Sequence, residues 1–96
     1  MIDYKVLSRK VTLVNPLGLH ARPAAMIAKI ARNAEKNIWL GDENYKADAA
    51  SVIDILSISG TKGKIFVLEA ESKKDLPLLD AIVAAFENGF GEMTNG

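Results

Sequence analysis

Apolar and polar positions change their period several times along the chain, and each change marks an element. Val11 and Leu13, with Val6 and Val14 nearby, alternate well enough to predict a first strand. The stretch "NPLG" (15–18) ends it, because Pro16 cannot donate to a strand ladder and Gly18 tolerates unusual dihedrals. From Ala21 the period becomes helical: Ala24, Ile27, Ala28 and Ala31 fall at i, i+3, i+4 and i+7, while Lys29, Arg32 and Glu35 lie mostly off that stripe. Its alanines make a strong helix former with a thin apolar face, able to lie close to a sheet. "NIWLGDENYKAD" (37–48) predicts a hairpin of two short strands around a turn near Asp42 to Asn44. Ser51 and Asp54 form a capping-box pattern ahead of Val52, Ile55 and Leu56, which predicts a short helix ending before Gly60. "KIFVLEA" (64–70) has the bulky side chains of a strand. Leu76, Leu79, Val83, Phe86 and Phe90 then give one wide face to a helix over about Asp75 to Asn88, stopped by Gly89 and Gly91. Ser72 and Asp75 compete as its N-terminal cap, and Pro77 fits only its first turn.

The order is strand, helix, strand, strand, helix, strand, helix. Every helix has one apolar face, so a single layer of helices on one face of a sheet is the economical arrangement. The hairpin requires antiparallel pairing at least there, and the opposite face of such a sheet can stay wet. With 96 residues, one domain over 1–96 is expected.

Composition narrows the function. Lys plus Arg equals Asp plus Glu, at 12 each, which argues against broad nucleic-acid binding and against docking on an anionic membrane. The absence of cysteine excludes disulfides, thiolate catalysis and cysteine metal sites. No apolar run approaches the roughly 20 residues of a membrane helix, so no membrane insertion is expected. Charges interrupt the N-terminal stretch, which therefore does not read as a signal peptide, and the cytoplasm is the expected location.

The chain's one histidine, His20, stands where the helical pattern begins. With His20 as N-cap, the amides of Ala21 and Arg22 have no partner inside the helix and carry the positive end of its dipole. They form an anion site, and the guanidinium of Arg22 adds a planar fork suited to phosphate oxygens. This positive setting is expected to keep His20 neutral and nucleophilic near pH 7. Such a nucleophile, with no metal ligands and no nucleotide-binding loop, is suited to accept a phosphoryl group from a partner protein. On spacing alone two other readings stand: a polar helix cap, and a binding domain that holds a free anion.

The segment "GLHARPA" (18–24) resembles the active-site signature of the histidine-containing phosphocarrier (HPr) family of the phosphoenolpyruvate-dependent sugar phosphotransferase system. The likeness runs from about Val11 to Gly91 and includes the short helix after "AAS" and the turn "TKG". It implies an α+β fold, a four-stranded antiparallel sheet with three helices on one face. It implies phosphorylation of His20 at Nδ1, assisted by Arg22. The implied partners are enzyme I as donor and enzyme IIA domains as acceptors, with no cofactor and no metal. The protein is then a phosphoryl carrier rather than an enzyme, expected to be a monomer.

The resemblance also places Ser51 at the regulatory serine of Gram-positive-type members, which makes HPr kinase/phosphorylase a further candidate partner. The competing reading is that Ser51 is only a helix cap. Asp54 departs from that pattern, which usually has glycine, and its carboxylate is expected to oppose a phosphate on Ser51. Val52, Ile53 and Leu56 match a family docking surface, with Leu19 and Leu17 as its extension. Core packing is the alternative for each. A regulatory module, or a carrier in a nitrogen branch, also fits the sequence. Trp39 is expected on or beside the sheet, Asp42 and Glu43 in a turn, Asp48 against a neighbouring loop, and Lys62 and Lys64 as solubilising charges, with contact to an acidic partner as the alternative for either.

Overall fold

A computed structural model describes residues 7–58 and 60–93; Val6 lies outside them. In chain order the elements are β1 (Ser8–Thr12), α1 (Ala21–Ala31), β2 (Ile38–Gly41), β3 (Lys46–Asp48), α2 (Val52–Ser57), β4 (Ile65–Ala70) and α3 (Leu76–Glu87). Short 3₁₀ turns, Lys73–Asp75 and Gly89–Gly91, flank α3. The sheet order is β1-β4-β2-β3 and every pairing is antiparallel, as the resemblance implied.

Alternation decides which face of the sheet is covered. Phe66, Leu68 and Ala70 of β4 point inward with Val11, Ile38, Leu40 and Ala47. Against them lie Ala24, Ile27, Ala28 and Ala31 of α1 and Leu79, Ile82 and Phe86 of α3. The predicted α1 stripe is the buried one. On α3 the buried set is Leu79, Ile82 and Phe86, while Val83 is only half-buried. Both sets obey helical spacing, and the tilt of the helix on the sheet selects between them. Ile65 and Val67 lie on the exposed face, with Trp39 half-exposed beside Glu69. Trp39 Nε1 donates to Glu71 at 2.8 Å.

Of the two competing caps of the last helix, only Ser72 caps with its side chain, and it does so on a 3₁₀ turn ahead of α3. Ser72 Oγ accepts from Lys74 N at 3.2 Å and caps the 3₁₀ turn. Asp75 flanks α3 without capping it. Its buried carboxylate instead accepts from Glu35 N at 2.8 Å and Lys36 N at 3.0 Å, tying the exit of α1 to the entry of α3. Lys64 corrects its expectation as a merely solubilising charge. Its ammonium pairs with Asp42 at 2.9 Å, donates to Ile58 O at 3.2 Å and lies 5.1 Å from the centre of the Phe66 ring. Asp42 is the turn carboxylate expected, accepting from the amides of Asn44 and Tyr45. Asp48 holds Ala50 N at 2.9 Å.

Candidate functional site

The site begins at the turn between β1 and α1. Gly18 adopts φ +74, and a Cβ there would stand 2.5 Å from Gly60 O, so only glycine permits this approach of two backbones. Leu19 N donates to Gly60 O at 3.0 Å and the Leu19 side chain is buried in the core. The next residue is thereby fixed at the start of α1. His20 is the N-cap in extended conformation, φ −93 and ψ −169, and its side chain makes no cap hydrogen bond. Its carbonyl accepts from Ala24 N at 3.1 Å. The amides of Ala21 and Arg22 have no acceptor among the described residues, Pro23 has none to offer, and no acid occupies the first turn. The Arg22 side chain is 71% exposed.

The imidazole points elsewhere than a cap would. His20 Nε2 lies 2.6 Å from Glu92 Oε2, while Nδ1 has no partner among the described residues. Glu92 is only 6% exposed at its side chain. Its other oxygen accepts from Asn15 Nδ2 at 2.8 Å, and the same amide nitrogen donates to Gly18 O at 2.8 Å. Two acceptors facing one amide group fix which atom is the nitrogen. Asn15 is fully buried, and its Oδ1 has no hydrogen-bond partner among the described residues. Arg22 Nε reaches to 4.0 Å from Glu92. The expected purely positive setting of His20 is therefore corrected: a buried carboxylate stands behind the ring, opposite the helix amides in charge.

The sequence reading stopped at Gly89 and Gly91 and missed Glu92 and Asn15. A signal existed in the acidic residue just after a pair of glycines that can turn the chain back. Of the proposed docking residues, Ile53 and Leu56 are exposed, as is Leu17. Val52 is half-buried against the core. Leu19 is corrected: its burial removes it from any docking surface.

Ser51 is the N-cap of α2, its Oγ accepting from Asp54 N at 3.2 Å. The reciprocal half of the capping box does not form, because Ser51 N donates to Asp48 O at 3.0 Å. The Asp54 carboxylate turns to the β2–β3 hairpin instead, where it accepts from Asp48 N at 2.6 Å and from the Tyr45 hydroxyl. These bonds, that from Tyr45 first, hold the Asp54 carboxyl below its ordinary 3.8; the Lys64 bond, followed by the Asn44 amide, does the same for Asp42. A depressed folded-state value stabilises the fold above the unfolded value and ceases to do so as pH falls through the folded one. Stability is therefore expected to decline in acid below about pH 4. Urea midpoints measured against pH should show a shallower acid limb for Asp54→Asn and for Asp42→Asn. Limbs superimposable on that of the parent chain would contradict this.

The family model described as "PTS HPr component phosphorylation site" matches residues 7–88. Phosphocarrier protein NPr of Klebsiella oxytoca is 34% identical over 87 residues, spanning 90% of this chain and 97% of its own. Phosphocarrier protein HPr of Cupriavidus necator is 30% identical over 87 residues, spanning 91% and 98%. The crystal structure of HPr-C-His from Thermoanaerobacter tengcongensis superimposes with a TM-score of 0.83 at 32% identity, covering 91% of this chain and 98% of that one. With its family match spread across the sheet and all three helices and its histidine at the mouth of α1, the chain belongs to the HPr family of phosphocarrier proteins.

Proposed function

We propose that this chain carries a phosphoryl group on Nδ1 of His20, taken from phospho-enzyme I and passed to enzyme IIA of a sugar phosphotransferase system. The observation that carries the reading is Nδ1 at the start of α1, without a partner among the described residues, where the Ala21 and Arg22 amides likewise have no acceptor among them and the Arg22 side chain is exposed beside the ring. Attack by Nδ1 places the incoming phosphoryl oxygens among positive donors. Transfer is nearly in line through a loose transition state, stabilised by position and charge. Donor and acceptor each bring half of the reaction, so the carrier works as a cytoplasmic monomer and not as an enzyme in its own right. Exposed Leu17, Ile53 and Leu56 supply the apolar contact for both partners. No helix among the described residues is long and apolar enough to cross a membrane.

A second reading has a specific observation behind it: several relatives are named NPr, the nitrogen-branch carrier, rather than HPr. In that branch the same histidine chemistry serves regulation, and Ser51 acts as the cap of α2 rather than as the substrate of HPr kinase/phosphorylase. Competition separates the two. The phosphorylated chain is offered equal amounts of a sugar-branch and a nitrogen-branch enzyme IIA domain, and the label on each is followed in time. Faster loading of the sugar-branch domain is the expected result; faster loading of the nitrogen-branch domain would reverse the assignment.

A further inference from the structure

We propose that Glu92, anchored by Asn15, is the positioning residue that sets the tautomer and orientation of His20 for phosphoryl transfer. The inference rests on the phosphocarrier reading above and adds a component to it.

The hydrogen bond decides the tautomer. An ionised carboxylate oxygen only accepts, so at 2.6 Å from Glu92 Oε2 the proton must sit on Nε2. In the neutral ring Nδ1 then carries the lone pair, and Nδ1 is the nitrogen without a partner among the described residues. Reversing the tautomer would set a lone pair against a carboxylate and leave the nucleophilic nitrogen protonated.

The carboxylate is itself fixed from behind. Glu92 is buried, and its second oxygen is held by Asn15 Nδ2, which is also bound to Gly18 O at the turn that positions His20. Ring and carboxylate are thus referred to the same short loop.

The backbone that delivers Glu92 is strained at Phe90. Gly89, Phe90 and Gly91 have φ of +60, +56 and +74 in succession, and Phe90 is the one non-glycine residue at positive φ among those described. Its ring is buried edge-on against Phe86, with centroids 4.9 Å apart, which holds the turn closed. A plain helix stop needs one such residue. Three in succession return the chain to the mouth of α1, and strain of this kind collects where a side chain must be aimed.

The charge balance of the reaction gives the pair its use. On uptake the Nδ1 lone pair forms the new N–P bond, while the bond from phosphorus to the donor nitrogen of phospho-enzyme I breaks and its electron pair stays with the donor. The Nε2 proton does not move. The ring becomes cationic as the bond forms, and Glu92 faces that charge directly, a part that resembles the buried aspartate of a serine protease triad. On delivery the N–P pair returns to Nδ1 and the ring is neutral again, ready for another cycle.

The test uses the full chain with enzyme I and labelled phosphoenolpyruvate. In the parent chain, ring ¹⁵N shifts of the neutral imidazole should show the Nε2–H tautomer. In Glu92→Gln both tautomers should appear, and phosphoryl uptake should slow by about 10- to 100-fold, the range for losing one hydrogen bond to a charged group. KM for enzyme I should stay the same. Glu92→Asp should restore part of the rate, and Asn15→Ala, which frees the carboxylate but keeps its charge, should fall between. The inference is overturned if Glu92→Gln keeps the parent tautomer and rate, or if only KM changes. If the parent chain takes up no label, the phosphocarrier reading itself fails and the positioning role falls with it.

Discussion

The His20→Ala chain is expected to acquire no acid-labile phosphate from enzyme I and phosphoenolpyruvate while keeping its fold. The loss is complete because His20 is the chain's one histidine and the anion-binding amides cannot act as a nucleophile. The fold survives because the ring is 37% exposed and makes no cap hydrogen bond, and because Glu92 retains Asn15 as a partner. Leaving that carboxylate short of one partner costs about 1–3 kcal/mol. A chain of 96 residues has roughly 5–14 kcal/mol to lose. Arg22→Ala acts differently. Its exposed side chain packs little, so stability should hardly move, whereas transfer should slow by about 10- to 100-fold through loss of a charge-assisted contact to the phosphoryl oxygens. Radiolabel transfer with thermal melts on the same samples checks both variants. Acid-labile phosphate on His20→Ala would show that the site is elsewhere.

Phe86→Ala is expected to lose about 3–5 kcal/mol, the largest single effect on folding. Phe86 is fully buried in α3, with its ring 6.1 Å from that of Phe66 in β4 and 4.9 Å from that of Phe90. Truncation opens a cavity between helix layer and sheet that neighbours on fixed backbones cannot fill. At about 4–8 °C per kcal/mol for a protein of this size, the midpoint should fall by roughly 12–40 °C. The same change removes the surface that holds Phe90 at positive φ, so any folded fraction should also transfer phosphoryl groups more slowly through misplacement of Glu92. Chemical denaturation measures the first effect and single-turnover transfer the second. A loss below about 1 kcal/mol would mean that the core does not close around this ring.

Local patterns were the legible part of this molecule. The period changes around "NPLG" and "GTKG", the thin alanine stripe of α1 and the bulky run of β4 each depend on neighbours in sequence, and all three correspond to observed elements. The position of His20 at the head of α1 followed from the same local signals. What the pattern could not supply are contacts between residues far apart in the chain. Asp75 looked like a helix cap, yet it serves the amides of Glu35 and Lys36, which the fold brings to it. Asp54 looked like half of a capping box, yet the hairpin offers it better donors in Asp48 N and Tyr45. Glu92 lies 72 positions from His20 and beyond the residues matched by the family model, so the glycines before it marked a turn but not the histidine it returns to. The helical pattern put Val83 on the apolar face, whereas Ile82 is the fully buried residue and Val83 is half-buried, a difference set by how α3 sits on the sheet.

The proposed carrier works through one bond, between phosphorus and Nδ1 of His20. Nitrogen–phosphorus coupling observed by NMR on the ¹⁵N-labelled chain, after incubation with enzyme I and phosphoenolpyruvate, tests it most directly. A single coupled nitrogen, assigned to Nδ1, with Nε2 still protonated toward Glu92, is the predicted result. Coupling at Nε2, or phosphate recovered on any other side chain, would contradict it.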